Sequence, residues 1–258
     1  CARAGKHVLM EKPLDITTAR AVELVEGCQS AGVTLGVVLQ HRFRPAGQRA
    51  AALLASGALG QVVGCATTIR LWRPQSYYDE PGRGSFARDG GGVLISQGIH
   101  TLDLMLSLVG PVTEGTGFTA TTPVHRMETE DMVCAAVRFA NGAIGTIEAT
   151  TAAYPGFHEE IMITCEHGTL ALRGGELLAQ FHDGRVERVE NDIAAGGTGA
   201  DPMAFPHDYH QAVMADFADA IRTGRAPRVT GPEALKVHRL IDALIETGRS
   251  GASVRVQP

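Results

Sequence analysis

The chain has 258 residues, is 44% hydrophobic and 20% charged, and carries a formal net charge of -5. That is the composition of a soluble globular protein with one large domain or two smaller ones. The mild acidity argues against nucleic acid or an anionic membrane as the main partner, and no apolar run approaches the roughly 20 residues of a membrane helix.

In chain order, Cys1 to Gly5 reads as the end of a helix already in progress, with Gly5 at its C′ position. Residues 7–10 follow as a short strand. A helix that runs straight into a strand is the second half of a βαβ unit, so the front of that unit is expected upstream of Cys1. Pro13 ends the strand. Thr17 or Thr18 can cap a helix to about residue 30, with Ala21, Val22, Leu24 and Val25 as its buried stripe. Residues 33–39 form an apolar strand of the parallel-sheet kind. Pro45 opens another helix, which Gly57 ends.

After Gly60 the texture changes to strands: 62–71, 115–122, 131–139, 143–151, 159–165, 169–172 and 177–181. Asn141-Gly142, His167-Gly168 and Asp183-Gly184 are hairpin turns. One helix, beginning near Gly98 and running to 108, lies among them. Residues 190–206, with Gly196-Gly197-Thr198-Gly199, read as loop. Helices 209–223 and 232–247 close the chain. The fold class is α/β. A partial Rossmann (doubly wound) domain, 1–60, precedes an α+β substrate-binding and oligomerisation domain, 61–258, with a large, mostly antiparallel open sheet. The closing helices, 209–247, are expected to pack back towards the first domain.

Open doubly wound sheets bind ligands at the carboxyl ends of their strands. Glu11-Lys12-Pro13 and Gln40-His41-Arg42 lie at such ends, which makes Glu11, Lys12, Pro13, Gln40 and Arg42 cofactor-binding candidates. Lys12 is also the leading catalytic candidate, because an ammonium over the crevice can bond a substrate hydroxyl and stabilise its alkoxide. The competing reading is a solvated surface lysine. Gly90-Gly91-Gly92 lets backbone approach something closely. Beyond it, Ser96, Gln97 and His100 cluster around a helix start. His100 can act as a base, with Asp103 on the same helical face to orient it; the competing reading is a structural core histidine. Trp72, Tyr78 and Arg83 precede the glycines on an irregular stretch suited to holding a sugar or an anionic group. His210 is a further substrate-pocket candidate, and His207 with His210 lacks the third ligand of a metal site. Gly115-Thr-Gly-Phe-Thr-Ala120 matches a dinucleotide fingerprint in spacing only, since no strand–turn–helix surrounds it.

Jointly, several motifs resemble the glucose-fructose oxidoreductase, inositol dehydrogenase and rhizopine catabolism family, Gfo/Idh/MocA. They are the run from Ala4 to Glu11-Lys12-Pro13, Arg42-Phe43-Arg44-Pro45, Gly57-Ala58-Leu59-Gly60, Gly90 through His100 to Asp103, and the ending with Asp216-Phe217, Gly224-Arg225 and Pro227. The resemblance implies NAD or NADP and hydride transfer at a sugar, polyol or nucleotide-sugar hydroxyl. It maps the family's lysine onto Lys12 and its helix histidine onto His100. Many members carry aspartate four residues before that histidine. Here the residue is Ser96, as in some nucleotide-sugar dehydrogenases that have a neutral residue there and Gln next, like Gln97. The glycine-rich turn and the acid that reads the ribose are expected upstream of Cys1, so NAD and NADP both stay open. A non-catalytic sugar-binding or regulatory protein is the alternative. The five scattered cysteines suit a reducing, cytoplasmic setting. A homo-oligomer, dimer or tetramer, is expected through the open sheet, with Val137, Ile144, Ile147 and Ile161 alternating along it.

Overall fold

The computed structural model describes residues 1–190 and 207–257; the expected loop at 191–206, with its Gly196–Gly199 cluster, lies outside the described residues. Two short parallel strands open the chain. β1 (Val8–Met10) pairs with β2 (Leu35–Val37), and α1 (Thr18–Ser30) connects them. Thr17 caps α1 by accepting from the Arg20 amide. Ala21, Val25 and Cys28 are its buried face. A 3-10 turn (Gln40–Phe43) then leads into α2 (Pro45–Ala55), with Pro45 in its first turn.

The rest is built on a nine-stranded open sheet. Its strands are β3 (Val62–Arg70), β4 (Val112–Ala120), β5 (Met132–Phe139), β6 (Ile144–Thr150), β7 (Glu160–Cys165), β8 (Gly168–Arg173), β9 (Glu176–Phe181), β10 (Val186–Val189) and β11 (Val254–Arg255). The spatial order is β10-β9-β8-β7-β3-β6-β5-β4-β11. Only the central β3–β6 pair is parallel; the other neighbours run antiparallel. Two one-turn helices, α3 (Gln75–Tyr78) and α4 (Phe86–Asp89), precede a π-helical segment (Leu94–Gly98) that continues into α5 (Ile99–Val109).

Helices α2 and α5 cover one face of the sheet, and α7 (Gly231–Ser250) packs along β4. Against them lie Ile69, Ile147, Ile161, Ile163 and Leu170, all at 2% exposure or less. Each such burial contributes about 1.5–3 kcal/mol. The opposite face carries exposed Phe118, Ile144 and Met162. This corrects the expected alternation: Val137, Ile147 and Ile161 face the helices, and only Ile144 of the four faces outward.

The closing helices belong to the first unit as much as to the sheet. α6 (Asp208–Thr223) packs on the 3-10 turn, and α7 packs on α1 and β2. Gly36 is glycine for that reason, since a Cβ there would sit 2.6 Å from the Phe217 ring. The helical stretch Phe86–Val109 is long and apolar enough by composition to cross a membrane, but 78% of its apolar window is buried inside the protein.

A separate buried pair pins the loops at one end of the sheet. His125 Nδ1 lies 2.6 Å from Asp131 Oδ2, and its Nε2 lies 2.8 Å from the Arg73 carbonyl.

Candidate active site

Lys12 extends from the carboxyl end of β1, and its ammonium donates to the Ser96 carbonyl at 2.7 Å. That carbonyl is available because the segment is π-helical, which takes backbone groups out of the regular i→i−4 ladder; such bulges recur at functional sites. The expected helix start near Gly98 is therefore corrected. Helical backbone already begins at Val93, and Ser96 and Gln97 lie inside the wide turn rather than at an N-terminus.

Backbone contact explains the glycine triplet. A Cβ on Gly92 would lie 1.8 Å from the Glu130 carbonyl, and one on Gly90 would lie 2.4 Å from the Ile16 carbonyl. Gly90 also has a left-handed φ of 76°. Glu130, missed in the sequence, accepts from the Gly92 and Leu94 amides at 2.9 and 3.2 Å and so caps this helical start. The same chain segment thus meets Ile16 on one side and Glu130 on the other, which fixes Ser96 against Lys12.

Lys12, Pro13, Asp15, Arg20, Tyr77, Arg83, Arg88, Asp89 and Ser96 line an open cleft of about 480 Å³. Glu11 is exposed at its edge. Arg83 is held by Glu80 at 2.6 Å and lies 4.2 Å from the centre of the Tyr77 ring. Tyr77 Oη meets Gln97 Nε2 at 3.3 Å. Tyr77, not Tyr78, is the tyrosine in the cleft: Tyr78 is buried with its hydroxyl 2.8 Å from Thr151. Trp72 is also displaced from its expected role. It bridges Ala152 and packs edge-on against Tyr154 at 5.5 Å.

His100 sits in a polar cluster beside the cleft. Its ring lies 5.0 Å from that of His41, tilted by 31°. Burial first, then the charges of Lys12, Arg44 and His210, holds it well below the ordinary imidazole range. His210, at the start of α6, is therefore electrostatically part of this cluster. Burial likewise lowers Lys12, while Glu11 and Glu159 oppose that shift.

Asp103 does not orient His100. Its two oxygens take Arg42 Nε and Nη2 at 2.7 and 2.6 Å, while Arg42 Nη1 reaches Glu233 at 3.3 Å. All of Arg42's guanidinium nitrogens are thus engaged within the protein, which corrects its expected cofactor role as well. Gln40 Oε1, Gln97 Oε1 and His100 Nδ1 are buried with no hydrogen-bond partner among the described residues. Unpaired buried polar atoms are costly unless a ligand supplies partners. These three suit a ligand bearing hydroxyl and amide N–H groups, as a sugar and a nicotinamide carboxamide do. Among the described residues, no group of three His, Cys, Asp or Glu is placed to hold a metal ion.

Residues 48–171 match the model of the GFO/IDH/MocA C-terminal domain. Over its whole length the chain superposes on the WlbA dehydrogenase from Bordetella pertussis, solved in complex with NADH and UDP-GlcNAcA, with a TM-score of 0.81, 29% identity and 74% of that chain covered. The chain is similar to the Gfo/Idh/MocA family, through its C-terminal domain and over the whole fold. Similar proteins include D-xylose 1-dehydrogenase (NADP(+)) 2 of Haloferax volcanii, 27% identical over 99% of this chain and 74% of the relative. The 1,5-anhydro-D-fructose reductase of Ensifer adhaerens is 27% identical with the same coverage.

Of this site's residues, His41 and Arg44 stand in the sequence motifs without an expected role, and Glu159 was not expected at all. Both lie on the 3-10 turn Gln40–Phe43 or at its C-cap, so the roles of His41 and Arg44 could have been found by following that turn. Glu159 comes from the start of β7, and nothing local in the sequence marks it.

Proposed function

We propose that this protein is an NAD(P)-dependent oxidoreductase that transfers a hydride between the nicotinamide cofactor and a sugar, polyol or nucleotide-sugar hydroxyl. The observation that carries this is the Lys12 ammonium, partly desolvated in the cleft and fixed on the Ser96 carbonyl at 2.7 Å. The relatives named above, a dehydrogenase and a reductase of sugars and a structure holding NADH with a nucleotide sugar, support the same chemistry.

An ammonium has three donors. With one on Ser96, two remain for a substrate hydroxyl. Its lowered pKa brings the neutral form nearer working pH, so Lys12 can take the hydroxyl proton during oxidation and return it during reduction. His100, neutral in the same range, has Nδ1 free to pair with the hydroxyl and keeps it oriented. Tyr77 and Arg83 bind the remainder of the substrate in the cleft. When bound, the cofactor accepts or supplies the hydride, and Pro13 and Gln40 would hold its nicotinamide end.

Two further parts of the proposal concern setting. Copies associate through the uncovered sheet face around Phe118, Ile144 and Met162, because an apolar open sheet is otherwise an association hazard. The protein works in the cytoplasm, where its buried free thiols Cys28, Cys65 and Cys165 stay reduced. The test is nicotinamide absorbance with the protein expressed from its full reading frame, over a panel of aldoses, polyols and nucleotide sugars with NAD and NADP in turn. Turnover of at least one member supports the proposal; none with either cofactor overturns it.

A further inference from the structure

The oxidoreductase reading just given leaves one feature of the site unaccounted for. Lys12, Arg44, His100 and His210 are all cationic or protonatable, and the helix position that often holds an acid is Ser96. A desolvated cluster of one sign loses protons unless an anion balances it. Glu159 is such an anion, brought in from the strand side. Its side chain is 19% exposed, and its Oε2 lies 3.8 Å from His41 Nδ1.

His41 defines what that contact is. Arg44 Nη2 lies 2.5 Å from His41 Nε2. A guanidinium can only donate, so Nε2 is the bare nitrogen and the proton sits on Nδ1, facing Glu159. His41 is thus neutral, in line with the burial that pushes it well below the imidazole range. The Glu159 contact is therefore N–H to carboxylate rather than an ion pair. A cavity of about 20 Å³ lined by His41, Arg44, Thr101 and Glu159 adjoins it, room for one bridging water across the gap. The His41 ring in turn packs against His100 at 5.0 Å.

We propose that Glu159, acting through His41, is the positioning carboxylate of this centre. With the tautomer set by Arg44, it orients the Nδ1–H side of the ring on which His100 packs, and it sets a negative charge against Lys12 in place of the acid absent at Ser96. The groups facing it are Arg44 at the start of α2, Lys12 from β1, His41 from the 3-10 turn and its neighbour His158; His210 faces His100 from α6. A carboxylate near Lys12 favours the ammonium. Removing it lowers the Lys12 pKa, so the neutral form is reached at lower pH.

The experiment combines a pH profile with a spectrum. In Glu159→Gln, the acid limb of kcat/KM for sugar oxidation moves to lower pH by about one unit, the scale of a single charge in a partly buried site. The change falls on kcat more than on KM, and Ser96→Asp added to Glu159→Gln moves the limb back up. Imidazole 15N spectra of the wild-type protein without sugar show His41 as the Nδ1–H tautomer near neutral pH, and Glu159→Ala keeps that tautomer but moves the Nδ1 resonance as its carboxylate neighbour is lost; an unmoved Nδ1 resonance overturns the proposal. An unmoved limb in a folded Glu159→Gln, or a wild-type His41 that is protonated or Nε2–H, overturns the proposal. The spectra require no turnover. A wild type that oxidises no sugar therefore overturns the oxidoreductase reading, while the response of the His41 Nδ1 resonance to Glu159→Ala still decides the role of Glu159.

Discussion

Arg42 and Asp103 are 10% and 1% exposed at their side chains, and their two hydrogen bonds form a bidentate fork. Burial first, with the Glu233 charge, raises the Asp103 carboxyl; Arg42 opposes that shift. Breaking such a pair from one side leaves an uncompensated buried charge, which costs about 3–5 kcal/mol. Asp103→Asn is therefore expected to lose about that much stability in urea unfolding, while kcat per folded molecule changes little. A large loss of kcat in a stable Asp103→Asn would return the residue to the role of orienting His100. Residue identity pointed to Lys12 and His100, because a lysine beside Pro13 at a strand end and a histidine after a glycine run are local patterns. Partners were not legible. Helical spacing put Asp103 beside His100, but Arg42, 61 residues away in sequence, outcompetes it by charge and geometry. Glu159 is hidden for the same reason: only the fold brings it to His41.

At the scale of elements, hairpin turns were legible because Asn141-Gly142 and Asp183-Gly184 supply the positive φ that Gly142 and Gly184 adopt, 91° and 88°. β10 and β11 were missed; the first is a short polar strand and the second has two residues. The facing of the sheet followed from parity that was not applied. Ile144 and Ile147 are three residues apart on β6, and an odd separation puts side chains on opposite faces. The π-helical turn carried no sequence signal of its own, since glycines before a helix usually mark a loop. Its cause is the Glu130 and Ile16 backbone pressed against Gly92 and Gly90. Gly92→Ala is accordingly expected to cost about 1–3 kcal/mol by overpacking. It should also lower kcat, because the Ser96 carbonyl moves with the segment. A Gly92→Ala protein with wild-type melting and turnover would show that this approach is not needed.

Over the whole molecule, α7 ties the sheet to the nucleotide side. His238 Nε2 accepts from the Leu14 amide at 3.2 Å, two residues after Lys12, so the lysine's loop is anchored to the last long helix. That bond needs neutral His238, and burial lowers its pKa against the pull of Asp242 and Asp15. His41 and His100 are lowered as well. A histidine depressed in the folded state binds its proton more readily when unfolded. Its contribution to stability is complete above the unfolded pKa of about 6.5 and is lost as pH falls below it, by up to about 1.4 kcal/mol per unit for each group. Buried Asp103, Glu130 and Glu159, raised by burial, oppose this. The His238 share is isolated by His238→Gln, whose amide oxygen can still accept from Leu14. Between pH 7.5 and 5.5 the variant is expected to lose less stability than the wild type in urea unfolding; an equal loss would contradict the assignment.

The central claim is that Lys12 handles the proton of a sugar hydroxyl while hydride moves to or from the nicotinamide. Steady-state kinetics of wild type, Lys12→Ala and Lys12→Arg on one turned-over sugar tests it most directly. The expected result is a kcat lowered about 10²–10⁴-fold in Lys12→Ala with cofactor affinity kept, and no rescue by arginine, whose guanidinium does not deprotonate in the working range. A Lys12→Ala enzyme with near wild-type kcat would contradict it.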